Sequence, residues 1–308
     1  MHGLNERDTN ALHARFGLDP VVSRTAPDGL LDFRGQGLVD AVTADQWFRS
    51  RGMQPAFRYP VRIEDSAIED VDFSGSDLSR VLFKRCTVRN CRFDRCDLVG
   101  MVVAGSRIEG CSFRRADLRS DVLLGMECDG APALWDGCVF DGARIGGAAD
   151  VSAFRSCSFR DVAMKRFEGN GSLFQDCVFS GRIAECRFWL AGLRSTVHPP
   201  DSLRQFDRCD FRGAVLEGLE VFGSSLDHAQ LPAADHVVIE GWRDWHESAV
   251  KLLRGNTDTV AQDLARVLVA AEQNWTRQDL RTAIFEGKST RKWIGQAGWD
   301  LLVSLSRT

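Results

Sequence analysis

The chain has 308 residues, 44% of them hydrophobic, with 43 acidic and 39 basic side chains and a formal net charge of −4. That length accommodates one repeat body with additions at both ends. The near-balance of charge argues for neither a strong nucleic-acid binder nor a strongly acidic mimic of one, and no run of 18 apolar residues is present to predict a membrane span.

Residues 1–60 read as an N-terminal cap, partly helical. Met1 leads into a polar stretch, His2 to Asn10, so no signal peptide is expected. Asn5–Phe16 and Ala44–Arg51 read as short helices. Leu31, Phe33 and Leu38 are in phase with the pattern that follows, which predicts a first, imperfect coil near Leu31. A cap is needed there because the bare end of a stacked body exposes backbone and core.

From Val61 to Gly125 an aliphatic or phenylalanine side chain stands at every fifth residue: Ile63, Ile68, Phe73, Leu78, Phe83, Val88, Phe93, Leu98, Val103, Ile108, Phe113, Leu118 and Leu123. Neither a helix of period 3.6 nor a strand of period 2 calls for this. A chain that turns a corner every five residues does. Two residues before each ladder position the side chain is mostly small, as at Ser66, Ser76, Cys91 and Ala116, which suits a narrow tube filled by side chains. Like residues recur every twenty: Phe73, Phe93 and Phe113; Leu78, Leu98 and Leu118; Asp77, Asp97 and Asp117. Four faces of five residues make one coil, and successive coils stack about 4.8 Å apart. The Asp column is expected to accept bonds from nearby backbone N–H groups and so close the short corners.

These residues resemble the pentapeptide-repeat family, whose consensus is roughly A-(D/N)-L-x-x. Ser76-Asp77-Leu78, Cys96-Asp97-Leu98, Ala116-Asp117-Leu118 and Cys209-Asp210-Phe211 carry the resemblance, which covers about Val61 to Leu231. It implies a mainly β solenoid, a right-handed quadrilateral β-helix.

The phase breaks after Gly125. Asp129 to Gly137, with Pro132 and Trp135, reads as a loop off the coil. The ladder resumes at Phe140 and Ile145 and runs through Phe154, Phe159, Met164, Phe174, Phe179, Phe188 and Leu193. A second loop, Arg194 to Arg208, holds His198-Pro199-Pro200, which cannot continue a β ladder. Phe211, Leu216, Val221, Leu226 and Leu231 form the last run, before Pro232. The repeat body is therefore placed at 61–235, with loops near 129–137 and 194–208. A C-terminal α-helical domain at 236–308 follows, with helices expected at Trp242–Leu253, Thr259–Trp275, Arg277–Glu286 and Thr290–Leu305 and caps at Asp258 and Thr276.

Nine of the ten cysteines (Cys86, Cys91, Cys96, Cys111, Cys138, Cys157, Cys177, Cys186 and Cys209) lie two before a large apolar residue, and Cys128 falls on the ladder position itself. They read as reduced, buried small hydrophobes. With no C-x-x-C, no metal is expected, and cytoplasm is the expected compartment. Arg outnumbers Lys 34 to 5, which points to a high-GC, bacterial source.

On the outer surface, Arg92, Arg95, Arg114 and Arg115 make the Phe73/Phe93/Phe113 face basic, a candidate site for an acidic partner or a solvated surface. On the next face Leu82, Val102 and Val122 form an outward apolar column, flanked by Ala104 and Leu124. Such a stripe is expected to be covered, by the chain's own ends or by a partner or second copy. Trp135 and His198 mark candidate specificity loops.

His246-Glu247 lacks the second His of a metalloprotease helix, and no nucleophile–base grouping can be argued, so no catalytic residue, metal or cofactor is expected. The first functional reading is a non-enzymatic protein-interaction or scaffold module whose Trp-rich helical end docks a partner or a membrane system. The alternative comes from the resemblance: family members bind type II DNA topoisomerases and protect gyrase from quinolones or natural-product poisons, their acidic rod imitating duplex DNA. That would make the chain an antibiotic-resistance factor with a topoisomerase partner and no direct nucleic-acid contact. Residues 61–231 depart from this with 26 acidic and 22 basic side chains. A third reading is an enzyme of a biosynthetic pathway built on the loops or helical domain.

Overall fold

In a computed structural model, which describes residues 29–35, 61–190, 204–232, 235–275 and 280–307, the quintets fold as a parallel β solenoid with a thirteen-stranded and a seven-stranded sheet. The expected helices Asn5–Phe16 and Ala44–Arg51, together with Leu38, Leu193, His198 and Thr276, lie outside the described residues. Near the N-terminus Leu31–Asp32 pairs in parallel with Val71–Asp72, and Phe33 packs on Phe73 with ring centroids 5.8 Å apart.

The corners explain the period. From Asp65 to Ser120 every fifth residue has a positive φ, between 48° and 72°. This left-handed step turns the chain through a corner, and the three or four extended residues between corners make one face. Most corner residues carry a side chain, at about 1 kcal/mol of strain each. Each strained corner is held by backbone bonds to the coils beside it; the Arg85 N–H, for example, donates to the Ala104 carbonyl (2.9 Å).

Inside the shaft like stacks on like. Phe73, Phe93, Phe113, Phe140, Phe159, Phe179 and Phe211 form one stack, with successive centroids between 4.5 and 5.2 Å apart. That spacing is set by the rung distance and gives face-on aromatic contact throughout. Cys91, Cys111, Cys138, Cys157, Cys177 and Cys209 form the adjoining small-residue column; the N–H after each cysteine donates to the carbonyl of the residue before it in the column. All six are buried. The corner-closing role of the Asp column is present: Asp77, Asp97 and Asp117 accept from the N–H of Ser79, Val99 and Arg119 at 3.0, 3.0 and 3.3 Å.

Three expectations change. First, Val122 and Leu124 are not outward; both are buried in the shaft, and Leu123, the expected ladder residue, points out. Ser120 and Asp121 both adopt positive φ (each 55°), so one extra residue sits in this corner. Because strand side chains alternate, a one-residue slip exchanges the two faces. Second, Trp135 is not on a loop. Ala133–Asp136 is a strand paired with Arg107–Glu109 and Ser152–Arg155, and Trp135 is 1% exposed. Its ring stacks on Phe154 at 5.7 Å and its Nε1–H donates to the Leu124 carbonyl (2.6 Å). The excursion therefore ends earlier than Gly137.

Third, among the described residues the C-terminal region has three helices: α1 (Trp242–Arg254), α2 (Thr259–Trp275) and α3 (Gly287–Leu305). The expected helix at Arg277–Glu286 is instead a strand, Leu280–Glu286, antiparallel both to the last coil at Glu220–Phe222 and to His236–Glu240. Thr282 and Ala283 are both almost fully buried because the strand lies between two cores. Ile284 joins the shaft, with Val238 packed against it, while Ala283 joins the helical core with Val237, Ile239, Trp242 and Trp299. This pair of strands closes the end of the stack. The N–H groups of Leu216 and Leu226, which face no further coil, donate to His236 Nε2 (3.1 Å) and Glu240 Oε1 (3.3 Å). An end left without acceptors would cost the desolvation of each buried donor.

Candidate interaction surfaces

The apolar column on the outside of the shaft is covered by the chain itself. Leu82, Val102 and Ala104 form a separate cluster, 6%, 1% and 1% exposed, against which Leu123 and Cys128 pack. The slip that turned Leu123 outward thus supplies the first covering side chain, and the excursion after it supplies the second. Arg85 ties this flap down. Its guanidinium meets Asp65 on the coil below (2.6 Å) and Asp129 in the flap (3.2 Å). The bond from Arg85 holds the Asp65 carboxyl below the usual carboxylate range. At Gly105, opposite Cys128, an added Cβ would lie 2.7 Å from the Cys128 Cβ, so the flap sits directly on the backbone.

The arginine face is neutralised only in part. Arg92 lies 3.7 Å from the buried Asp72. Arg114 donates from Nη1 to Ser112 Oγ (3.0 Å) and from its backbone N–H to Asp94 Oδ1 (2.8 Å). Arg95 and Arg115 stand exposed at corners one coil apart. Much of the remaining outward charge is paired, because in-register rungs bring positions one coil apart, 19 to 33 residues along the chain, side by side. Arg89 bridges Glu69 (3.0 Å) and Glu109 (2.6 Å); Asp117 takes Arg119 (2.7 Å) and Arg144 (3.2 Å); Arg166 meets Glu185 (2.7 Å), Arg187 meets Glu220 (2.9 Å) and Arg208 meets Asp176 (2.8 Å). Such exposed pairs contribute little stability each. Their consequence is electrostatic: where these pairs stand, acids and bases alternate from coil to coil and offset one another.

Burial pushes the Cys96 thiol up to about 12 and Cys186 up to about 11, so both stay protonated at neutral pH. Among the described residues no group of three or more His, Cys, Asp and Glu converges to hold a metal, and no helix is long and apolar enough to cross a membrane.

The helical end is different. Trp242 and Trp299 are buried, and Trp245 donates from Nε1 to the Leu305 carbonyl (3.1 Å). Trp293 on α3, however, is 80% exposed, and Leu252 on α1 is 64% exposed. Leu252 borders a shallow groove of about 840 Å³ between α1 and α3, lined also by Lys251, Leu253, Asn256, Leu301 and Leu305. Sequence reasoning placed the tryptophans of this region together but did not single out Leu252. Its only signal is an apolar residue on the polar arc of α1.

Residues 67–100 match a family model described as pentapeptide repeats, in 8 copies. Among solved structures, HetL, a pentapeptide repeat protein involved in heterocyst differentiation regulation from the cyanobacterium Nostoc sp. strain PCC 7120, is similar over 75% of this chain and 94% of its own, at 11% identity and a TM-score of 0.27. Full-length QnrB1, a plasmid-mediated fluoroquinolone resistance protein, is similar over 66% of this chain and 92% of its own, at 19% identity and a TM-score of 0.27. No curated protein matches the chain.

Proposed function

The chain is a pentapeptide-repeat protein, and from that premise we propose that it is a non-enzymatic interaction module in which the solenoid is a rigid spacer and the helical end docks a partner protein. The observation that carries this reading is the exposure of Leu252 beside an open groove floored by Leu253, Leu301 and Leu305. Apolar surface at a concave site is where a partner's side chain gains most from leaving water. The shaft is filled with side chains, the outward apolar column is covered by its own flap, and much of the charge on the rod is paired between coils. A spacer with these properties positions what is attached to its end without attracting partners along its length.

Protection of a type II topoisomerase is the alternative. An acidic rod that imitates DNA needs one continuous acidic face, and the alternating pairs on this rod argue against one. A gyrase supercoiling assay with and without a quinolone distinguishes the readings. Unchanged supercoiling and no rescue are expected; rescue at stoichiometric protein would replace the spacer reading with the topoisomerase one.

A further inference from the structure

We propose that the first half of α3 is a docking edge for an anionic lipid surface, with Trp293 as the ring that enters the headgroup layer. Helix α3 is two helices merged across Gly295, whose φ of 68° and ψ of 180° break the regular backbone. The second half buries Trp299, Leu302 and Leu305 in the domain core. The first half touches that core through the half-buried Ile294, while Lys288, Lys292 and Trp293 are exposed. From Gly287 to Gly298 the chain carries three cations and no carboxylate. Arg291 is committed to the body: its guanidinium bonds both oxygens of Asp235 (2.6 and 2.7 Å) and lies 5.3 Å from the Trp299 ring centre. That clamp fixes the orientation of the half-helix. Lys288 and Lys292, one turn apart, are exposed, and among the described residues no acid lies within ion-pair distance of either. Trp293 follows Lys292 directly and is 80% exposed.

The chemistry of this edge selects the partner. One isolated indole is too small an apolar patch for a protein interface, which buries roughly 800 Å² per side around clustered anchors. At a membrane the lipid supplies the apolar medium, and a single amphipathic ring with lysines beside it suffices for weak, reversible attachment. The lysines require that the headgroups be anionic. The site lies on the opposite half of α3 from Leu301 and Leu305, so it is independent of the groove to which the partner protein is assigned.

The test is sedimentation of the full chain with vesicles of pure phosphatidylcholine and with vesicles containing about 30% phosphatidylglycerol, at low salt and at about 0.5 M salt. Binding to the anionic vesicles alone, weakened by salt and accompanied by a blue shift of tryptophan emission, is expected. Trp293→Ala should reduce the partition coefficient about tenfold, and Lys288→Gln with Lys292→Gln should reduce it at least fivefold. Both substitutions are at exposed positions, and unchanged circular dichroism and melting confirm that the fold is kept. Leu252→Asp should leave vesicle binding intact, so failure of the groove reading and failure of this one are separable. The proposal is overturned by no binding to anionic vesicles, by equal binding to neutral ones, or by binding that Trp293→Ala does not change. A dimer in solution that Trp293→Ala dissociates would also overturn it, by assigning the ring to a second copy of the chain.

Discussion

At the level of single residues, the corner positions decide whether a quintet can close. The ladder of large and small residues was legible because burial imposes a size at each inward site. The left-handed corners were not, because Asp65, Arg80, Asn90, Arg115 and Ser120 differ in size and charge and are polar like most outward residues. None of them is β-branched. Val151 breaks that pattern: its φ is 48° and it is 39% exposed, so little packing offsets the strain. Val151→Gly is therefore predicted to stabilise the protein by about 1 kcal/mol, relief of left-handed strain outweighing the added entropy of the unfolded chain. Chemical denaturation measures this; a loss of stability would mean that the Val151 side chain contributes more than its exposure indicates. Gly181 shows the opposite case, since an added Cβ would lie 2.4 Å from the Val162 carbonyl oxygen.

At the level of elements, what escaped the sequence reading turned on phase and on short apolar runs. The twenty-residue repeat showed which residues stack within a run, and the phenylalanine column continues across both interruptions although the spacing lengthens there, as from Phe113 to Phe140 and from Phe179 to Phe211. The extra residue at Asp121 was invisible, because Val122, Leu123 and Leu124 are all apolar and any of them could have been the inward residue. Trp135 reads as a loop residue because the phase breaks after Gly125 and Pro132 lies close before it, yet Ala133–Asp136 is a strand. The strand Leu280–Glu286 could not be told from a helix by periodicity, since both of its sides are buried.

Two predictions belong at this scale. Leu82→Asp should destabilise the protein by about 3 kcal/mol or more, because it places an unpaired carboxylate under the Leu123–Cys128 flap, while the oligomeric state stays as in the parent. Denaturation with light scattering reads both; an unchanged stability would show that the flap is open in solution. Glu286 caps α3, its carboxylate accepting from the N–H groups of Lys288 (2.8 Å) and Ser289 (2.7 Å). Burial alone would raise its pKa, but the bonds from Ser289 and Lys288 overcome this and leave it lowered. The cap is thus at full strength above the ordinary glutamate range and is lost as pH falls through the depressed folded value. Glu286→Gln should cost about 1 kcal/mol at neutral pH, with the gap to the parent closing as the solution is acidified below about pH 4.5. A gap independent of pH would assign the cost to packing.

At the scale of the whole molecule, the sequence announced a solenoid with a helical end and left the working surface open between them. Counting charges gave near-balance but could not show that many acids and bases pair from coil to coil; that follows only when residues one coil apart become neighbours. Nor could composition show that the outward apolar column would be covered by an insertion from within the rod, leaving Leu252 and Trp293 as the most exposed large apolar side chains among the described residues. The division into an inert rod and a docking end is tested most directly by placing a photo-crosslinking amino acid at Leu252 in one variant, and at Arg95 or Arg115 in others, and illuminating cells that express each. Discrete adducts from position 252, suppressed by Leu301→Asp, with none from 95 or 115, are predicted. Adducts from the rod positions and none from 252 would contradict the account.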